Sequence, residues 1–515
     1  MDNKNRLLMG IDIGTSSCKV AVFGLDGIPH AMVNRDYDTI HDKPGWAEQN
    51  PEDWWGKTCE AIKECLSEVN GEDIVGIGVD GQSWSCVPMD EEGTVLANSP
   101  IWTDQRSEAI CKELADTKVG QRMVEASGNP LGAGYTTGKL IWFYRERPEI
   151  YRKTAFFLQS NSFIVYRLTG VLSQDVSQCY GIHIYNIATG RIEKEICEAA
   201  GIDFRKLPPV YECKDIVGVV TQEAARRTGL KPGIPVVAGG LDAACGALGV
   251  GVCHPGDTQE QGGQAGGMSI CMEQPQKDRR LILSRHVVGG YWLLQGGTIA
   301  GGAAMNWLAK SLGEYEKYSA EQLGIPQLQR MDQLAETELP GSGGMVFLPY
   351  LAGERSPLWD SNACGMFFGI DFSTTRGQFY RSVMEGTAFA LHHNLQAAIS
   401  AGAVITSLNA MGGATSSDIW MQIKADITGL PIQTFECGHY ASTLGAALLA
   451  GVGTGYWNSF EDACRDTVRV QKRYHPNVQN KIIYQKSYEL YQELYKQTKT
   501  TMRKRWELTN LSYNQ

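Results

Sequence analysis

Residues 7–27 read LLMGIDIGTSSCKVAVFGLDG, Leu7 to Gly27. An apolar run carries Asp12 near its end, breaks at Gly14, Thr15, Ser16 and Ser17, resumes after Lys19 and stops at Asp26-Gly27. The pattern predicts two strands, over 7–13 and 18–24, joined by a tight turn. Two readings fit that turn. In the first, Gly14 supplies a backbone angle and small polar residues keep a hairpin soluble. In the second, backbone N–H groups point into a concavity that holds phosphate. Thr15, Ser16 and Ser17 then add hydroxyl donors and Lys19 adds charge. Asp12, a carboxylate in an apolar strand, would hold a magnesium ion through water.

The rest of the chain narrows the choice. Its 515 residues are enough for two or more domains, and 43% hydrophobic with 20% charged residues is ordinary globular composition. A net charge of −10 argues against nucleic acid or an anionic membrane as a partner. The first residues, MDNKNRLLMG, lack the apolar core of a signal peptide. No run of about 20 apolar residues predicts a membrane span, and a cytoplasmic location is expected. The 14 cysteines are scattered through apolar segments with no CxxC, which reads as buried free thiols. Cys253-His254 and Cys437-Gly438-His439 are isolated pairs without a partner pair at metal-ligand spacing, so neither is given a metal role.

Glycines at 76, 78 and 81 match GxGxxG, but they lie inside one predicted strand that leads into another, so a dinucleotide fingerprint is rejected. Residues 233–251 predict a strand, a Gly-Gly turn and a helix of small residues starting at Asp242. Residues 257–273, DTQEQGGQAGGMSICME, repeat the opening plan of strand, glycine-rich turn and strand. Two related α/β domains are therefore expected, divided near His254-Pro255-Gly256 into 1–254 and 255–515. Residues 292–313 predict a strand, a glycine turn and a helix. Residues 379–402 predict one long helix whose His392-His393 pair packs in a core or groove. Residues 407–435 predict strand, Gly-Gly turn, helix and strand, and 482–507 a packed, tyrosine-rich terminal helix.

Several segments together resemble the FGGY family of carbohydrate kinases, and within it the xylulokinase-like branch. The likeness runs from about Leu7 to Gly453. GIDIGTSSCKV resembles the family's first phosphate loop, and PGWAEQNPEDWW (44–55) its PGW-EQ-P--WW segment. IWTDQR (101–106) resembles the W-x-D-x-R element of the sugar site. GYTTGKLIWFYRE (134–146) and GMFFGIDFSTTRGQFYRSVMEG (365–386) are similar to the two family signatures, the second preceded by FLPYLAGERSPLWD (347–360).

The resemblance implies two actin-like, ribonuclease-H-like ATPase domains flanking a catalytic cleft, the first holding sugar and the second nucleotide. It implies ATP and Mg2+ as cofactors and a small carbohydrate as partner. It makes Asp242 the general base on the attacking hydroxyl and, with Asp12, a holder of the magnesium ion through water. Without it, an aspartate at a helix start reads as an N-cap. By the same resemblance Gln82, Ser83, Trp84, Trp102, Asp104, Arg106 and Asp242 face the sugar. Gly14, Thr15, Ser16, Lys19, Gly263, Gln264, Gly302, Asn306, Gly412, Gly413 and Ser417 face the nucleotide. Lys139 and Trp142, in the first signature, are read as structural.

Two positions depart from the family pattern. Xylulokinases usually have Gly-Gln-Met-His where this chain has Gly81-Gln82-Ser83-Trp84, which leaves a ketopentose such as xylulose, a tetrulose, a deoxysugar and a polyol open as substrates. The second phosphate loop usually reads Gly-Thr-Ser and here reads Gly263-Gln264-Ala265, losing two hydroxyl donors. That loss is the sole support for an alternative reading, a weak or silent sugar-binding sensor. Oligomeric state is not fixed by the sequence, and a homodimer is compatible with it.

Overall fold

The computed structural model describes residues 6–513. Two seven-stranded sheets organise the chain. In the first, Leu7–Ile13 and Ser17–Gly24 form an antiparallel hairpin and Pro29–Asp36 extends it. Ile74–Gly81 then lies parallel to Leu7–Ile13 on the other side, followed by Pro235–Val237 and Gly240–Leu241, both parallel to it. The second sheet repeats the plan. Thr258–Gly262 pairs antiparallel with Gly266–Met272, which pairs with Trp292–Thr298. Leu408–Met411 lies parallel to Thr258–Gly262, and Ile432–Phe435 parallel to Leu408–Met411. The repeated hairpin expected over 257–273 thus founds a second sheet in which, as in the first, the hairpin is flanked by antiparallel pairing on one side and parallel strands on the other; Ile282–Arg285 is an added strand at its antiparallel edge.

Local chemistry sets the helix boundaries that matter to the site. Pro51–Glu68 starts on Pro51, whose fixed φ suits the first turn, after Asn50 accepts the Glu52 N–H. Arg376–Ser400 starts on a capping box in which Thr375 and Gln378 satisfy each other's backbone N–H groups. Its His392 and His393 rings pack against Tyr488 of the terminal helix Lys481–Tyr513. That helix buries Tyr484, Tyr491 and Tyr495 in the second core, where the Tyr350 hydroxyl donates to that of Tyr491 at 2.6 Å.

One element of the second half serves the first sheet. Ala441–Gly453 follows Ile432–Phe435 in sequence, yet it packs on Leu7–Ile13 and Ile74–Gly81 and crosses Asp242–Gly249. Glycines allow the approach. A Cβ on Gly10 would lie 1.9 Å from the Thr443 carbonyl oxygen, and one on Gly78 1.9 Å from that of Ala446. Where the two helices cross, a Cβ on Gly445 would lie 1.9 Å from the Cys245 carbonyl oxygen. Backbone cannot yield as a side-chain tip can, so Gly445→Ala must push the helices apart. Overpacking of this kind costs about 1–3 kcal/mol, and here the upper end is expected. Denaturant unfolding of the variant measures it; a loss below about 0.5 kcal/mol would show that the crossing can slide.

Candidate active site

Three parallel strands of the first sheet end side by side, and each brings a carboxylate or a turn to that edge. Asp12 pairs in register with Asp80, and Asp80 with Gly240, two residues before Asp242. Ligands in open α/β sheets bind beyond the carboxyl ends of such strands. The sequence reading passed over Asp80. Its only signal was an acid inside the apolar run IVGIGVDG, and the register alone reveals that it faces Asp12.

Electrostatics at this edge are severe. Asp80 is fully buried, and burial together with the charges of Asp12 and Asp242 pushes its carboxyl well above the usual range. Asp242 opens the helix Asp242–Gly249, and its Oδ1 accepts the Ala243 N–H at 2.7 Å. Burial first, and the Asp12 charge second, push Asp242 up to about 7. Lys19 Nζ lies 3.4 Å from Asp12 Oδ2, and Asp12 raises the ammonium's pKa. Asp80, kept protonated, shares a carboxyl–carboxyl hydrogen bond with Asp12, and beyond that pairing Asp12 Oδ1 and both Asp80 oxygens are buried with no partner among the described residues. Unpaired buried oxygens of this kind are costly unless a cation or proton meets them. The donor set therefore fits a hard divalent cation held at Asp12 with Asp242 beside it.

The first loop is held open by its neighbours. Gly14 donates to the Ser17 carbonyl at 3.0 Å, and Tyr37 donates its hydroxyl to the Gly14 carbonyl. Thr15 Oγ1 accepts the Trp102 indole N–H at 2.9 Å, tying the loop to the expected sugar face. Ser16 is exposed at the tip.

Around that face the expected residues divide. Ser83 keeps partial exposure, whereas Gln82 is buried and donates to Gln49 Oε1 at 2.8 Å. Trp84 holds a left-handed φ of 61° and stacks 4.1 Å from Tyr135, with Tyr180 edge-on at 5.4 Å. Trp102 is half-buried, and Arg355 of the second half lies over its ring at 5.7 Å. Asp104 and Arg106 stand behind this face, not on it. Asp104 is fully buried, with its oxygens taken by the Ala47 N–H and by Arg106. Arg106 is itself clasped between the Trp46 and Trp142 rings and paired with Glu48. A sugar hydroxyl finds no free lone pair there.

Lys139, read as structural, is fully buried and donates to the carbonyls of Trp84 and Gly134, both at 2.6 Å. Burial lowers its pKa to about 7. Below that pH the amine is charged in both folded and unfolded chains. Between about 7 and the ordinary lysine value the unfolded chain alone keeps the proton, so this group's contribution to stability rises with pH, by up to about 1.4 kcal/mol per unit. The stability gap between the parent protein and Lys139→Met should therefore widen in favour of the parent from pH 6.5 to pH 9. Denaturant unfolding across that range reads it, and a constant gap would refute the assignment.

On the second sheet the glycines form a backbone cradle. Gly302 donates to the Gly263 carbonyl at 2.7 Å, and Gly301 and Ala303 to that of Gln264 at 3.2 and 3.1 Å. The loop thus caps the helix Gly302–Leu312 and occupies its first N–H groups, which a phosphate cannot then use. Gly412 closes on the same loop, since a Cβ there would lie 2.9 Å from Gly262 carbonyl atoms. Gln264, Asn306 and Gly413 are exposed. Ser417 ends the turn that Gly413 begins and is the N-cap of Asp418–Thr428, accepting the Trp420 N–H.

Two duplicated sheets of this strand order, with carboxylates at the edge of one and a glycine cradle on the other, define an actin-like phosphotransferase. Residues 7–249 match the N-terminal domain, and residues 267–454 the C-terminal domain, of the FGGY family of carbohydrate kinases. A xylulose kinase of Bacillus subtilis is 32% identical over 96% of this chain and 97% of its own length. The crystal structure of xylulose kinase from Rhodospirillum rubrum superposes with a TM-score of 0.87 at 30% identity, covering 97% of this chain and 100% of the other. That of gluconate kinase from Lactobacillus acidophilus gives a TM-score of 0.89 at 25% identity, covering 97% and 99%. The chain belongs to the FGGY family of carbohydrate kinases and is an ATP-dependent sugar kinase. No helix among the described residues is long and apolar enough to cross a membrane.

Proposed function

We propose that the chain transfers the γ-phosphoryl group of ATP to a hydroxyl of a ketopentose such as xylulose, or of a related ketose or polyol, with Asp242 as general base. The observation that carries this reading is the placement of Asp242, a half-buried carboxyl raised to about 7 at the strand ends beside Asp12. A base poised near neutral pH can take a hydroxyl proton as the bond to phosphorus forms. The sugar oxygen attacks the γ-phosphorus, Asp242 accepts its proton, and the β–γ bridging oxygen leaves with ADP.

Asp12, with Asp242, would hold Mg2+ through water, and that ion would supply charge neutralisation for the transferred phosphoryl group. Thr15 Oγ1 accepts the Trp102 N–H as an acceptor only, so its own O–H is available to donate to a phosphate oxygen. Gly263, Gln264, Gly412 and Gly413 let phosphates and base approach backbone, and Asn306 borders them. Ser83, Trp84 and Trp102 shape the sugar face, supported from behind by Asp104 and Arg106. The ketopentose class is supported by the xylulose kinases among the relatives, and the gluconate kinase likeness extends the comparison to sugar acids.

ATP consumption against ketoses, deoxysugars, aldonates and polyols, with Asp242→Asn as control, tests the proposal. A ketose turned over best, and only by the parent protein, is the expected result. Preferred turnover of an aldonate would overturn the ketose assignment. Sugar binding by calorimetry without turnover of any compound would overturn the transfer step.

A further inference from the structure

The isolated pair Cys253-His254 acquires partners in the fold. It lies in the link between the helix Asp242–Gly249 and the strand Thr258–Gly262, where the two halves meet. His254 Nδ1 stands 3.4 Å from Cys253 Sγ and 3.5 Å from Asp257 Oδ2, and the donor atoms of all three residues lie within 4.8 Å of one another. From the other side the helix Phe460–Thr467 adds two more groups. The Cys464 thiol is in hydrogen-bonding contact with Cys253, and Glu461 Oε1 lies 3.8 Å from His254 Nε2.

These spacings are those of a metal's ligand shell. A tetrahedral Zn2+ binds sulfur at about 2.3 Å and nitrogen or oxygen at about 2.0–2.2 Å, which sets neighbouring donors about 3.3–3.6 Å apart. The two measured edges fall in that range before any ion is added. Glu461 lies on the side of the second ring nitrogen, just beyond hydrogen-bond reach, where a carboxylate commonly orients a ligating imidazole. A turn cap explains part of the geometry, since Asp257 Oδ2 also accepts the N–H groups of Cys253 and His254. It does not explain the Cys253 thiol and a second acid, Glu461, approaching the same imidazole, nor a second buried thiol, Cys464, set against Cys253 while donating to the Leu248 carbonyl at 3.6 Å.

We propose that Cys253, His254 and Asp257, completed by Cys464, form a binding site for a thiophilic divalent cation of the Zn2+ class, outside the catalytic centre. Binding would displace the two thiol protons to solvent and change no oxidation state. It would tie the link between the halves to Phe460–Thr467, which packs against Ala441–Gly453, the helix lying on the first sheet. The ion would thus brace the link between the halves, outside the residues placed at either substrate.

The test uses the full chain, reduced, stripped with a chelator and titrated with Co2+ and then Zn2+. The expected result is one equivalent of Co2+ per chain, with tetrahedral visible bands and thiolate charge-transfer absorption that Zn2+ bleaches. Cys253→Ser should lower the charge-transfer band by about half, leaving the contribution of Cys464. His254→Ala, at a side chain 57% exposed, should weaken binding at least tenfold without loss of fold. Cys364→Ser, outside the cluster, should change neither. Absence of stoichiometric binding, a spectrum without thiolate character, or unchanged binding in His254→Ala would each overturn the proposal. The last reading stands alone should Cys253→Ser fail to fold.

Discussion

Asp242→Asn is expected to lower turnover by about 10²–10⁴, the usual contribution of a positioned general base, while leaving fold and sugar affinity in place. The substitution is nearly isosteric. Asn Oδ1 can accept the Ala243 N–H as Asp242 Oδ1 does, so the start of the helix Asp242–Gly249 survives. What disappears is the lone pair that takes the proton. The variant also removes a negative charge from beside Asp12 and Asp80, whose carboxyls share a buried edge. Thermal stability should therefore hold or rise. A loss confined to kcat, with sugar KM and calorimetric sugar affinity within a few-fold of the parent, marks an interaction made only in the transition state. Parent-like turnover would remove Asp242 from the base role, and Asp80 would become the group to test next.

What the sequence revealed, and what it concealed, follows from the range of the forces involved. Asp12 and the opening turn were legible because a carboxylate in an apolar strand next to Gly and hydroxyls is a local contradiction. The second hairpin was legible as a repeat of the first, and Asp242 because a helix of small residues announces itself after Gly-Gly. Asp80 carried the same local contradiction, yet its meaning lies in pairing register with Asp12 across two strands more than sixty residues apart. Asp104 and Arg106 were placed on the sugar face by motif, whereas the fold turns them onto Trp46, Trp142 and the Ala47 backbone. Motif spacing fixes which residues occur together, not which way they point. Arg355 over Trp102, Glu461 beside His254 and Ala441–Gly453 on the first sheet are contacts between distant segments, which no local pattern encodes.

The nucleotide side offers an equally sharp and separable expectation. Gly412 has φ 89° and ψ −179°, a region open essentially to glycine alone. A Cβ there would also meet Gly262 carbonyl atoms at 2.9 Å and the Gly263 nitrogen at 3.0 Å. Gly412→Ala must distort its own backbone, displace the Gly262–Gly263 loop, or both. Strain of about 1–3 kcal/mol is the ordinary cost, and if it falls on the bound geometry, ATP affinity drops about fivefold to two-hundredfold. Sugar affinity should stay near the parent value, because Ser83, Trp84 and Trp102 belong to the N-terminal domain and the Gly262–Gly263 loop to the second sheet. Gly413→Ala is the informative companion. A Cβ on Gly413 meets nothing within 4 Å, so the free protein should tolerate it with unchanged stability. Weaker ATP binding by Gly413→Ala would then report contact with the nucleotide itself, since no protein neighbour is disturbed. Unchanged ATP binding in both variants would move the nucleotide off this loop, and with it the division of labour between the two sheets.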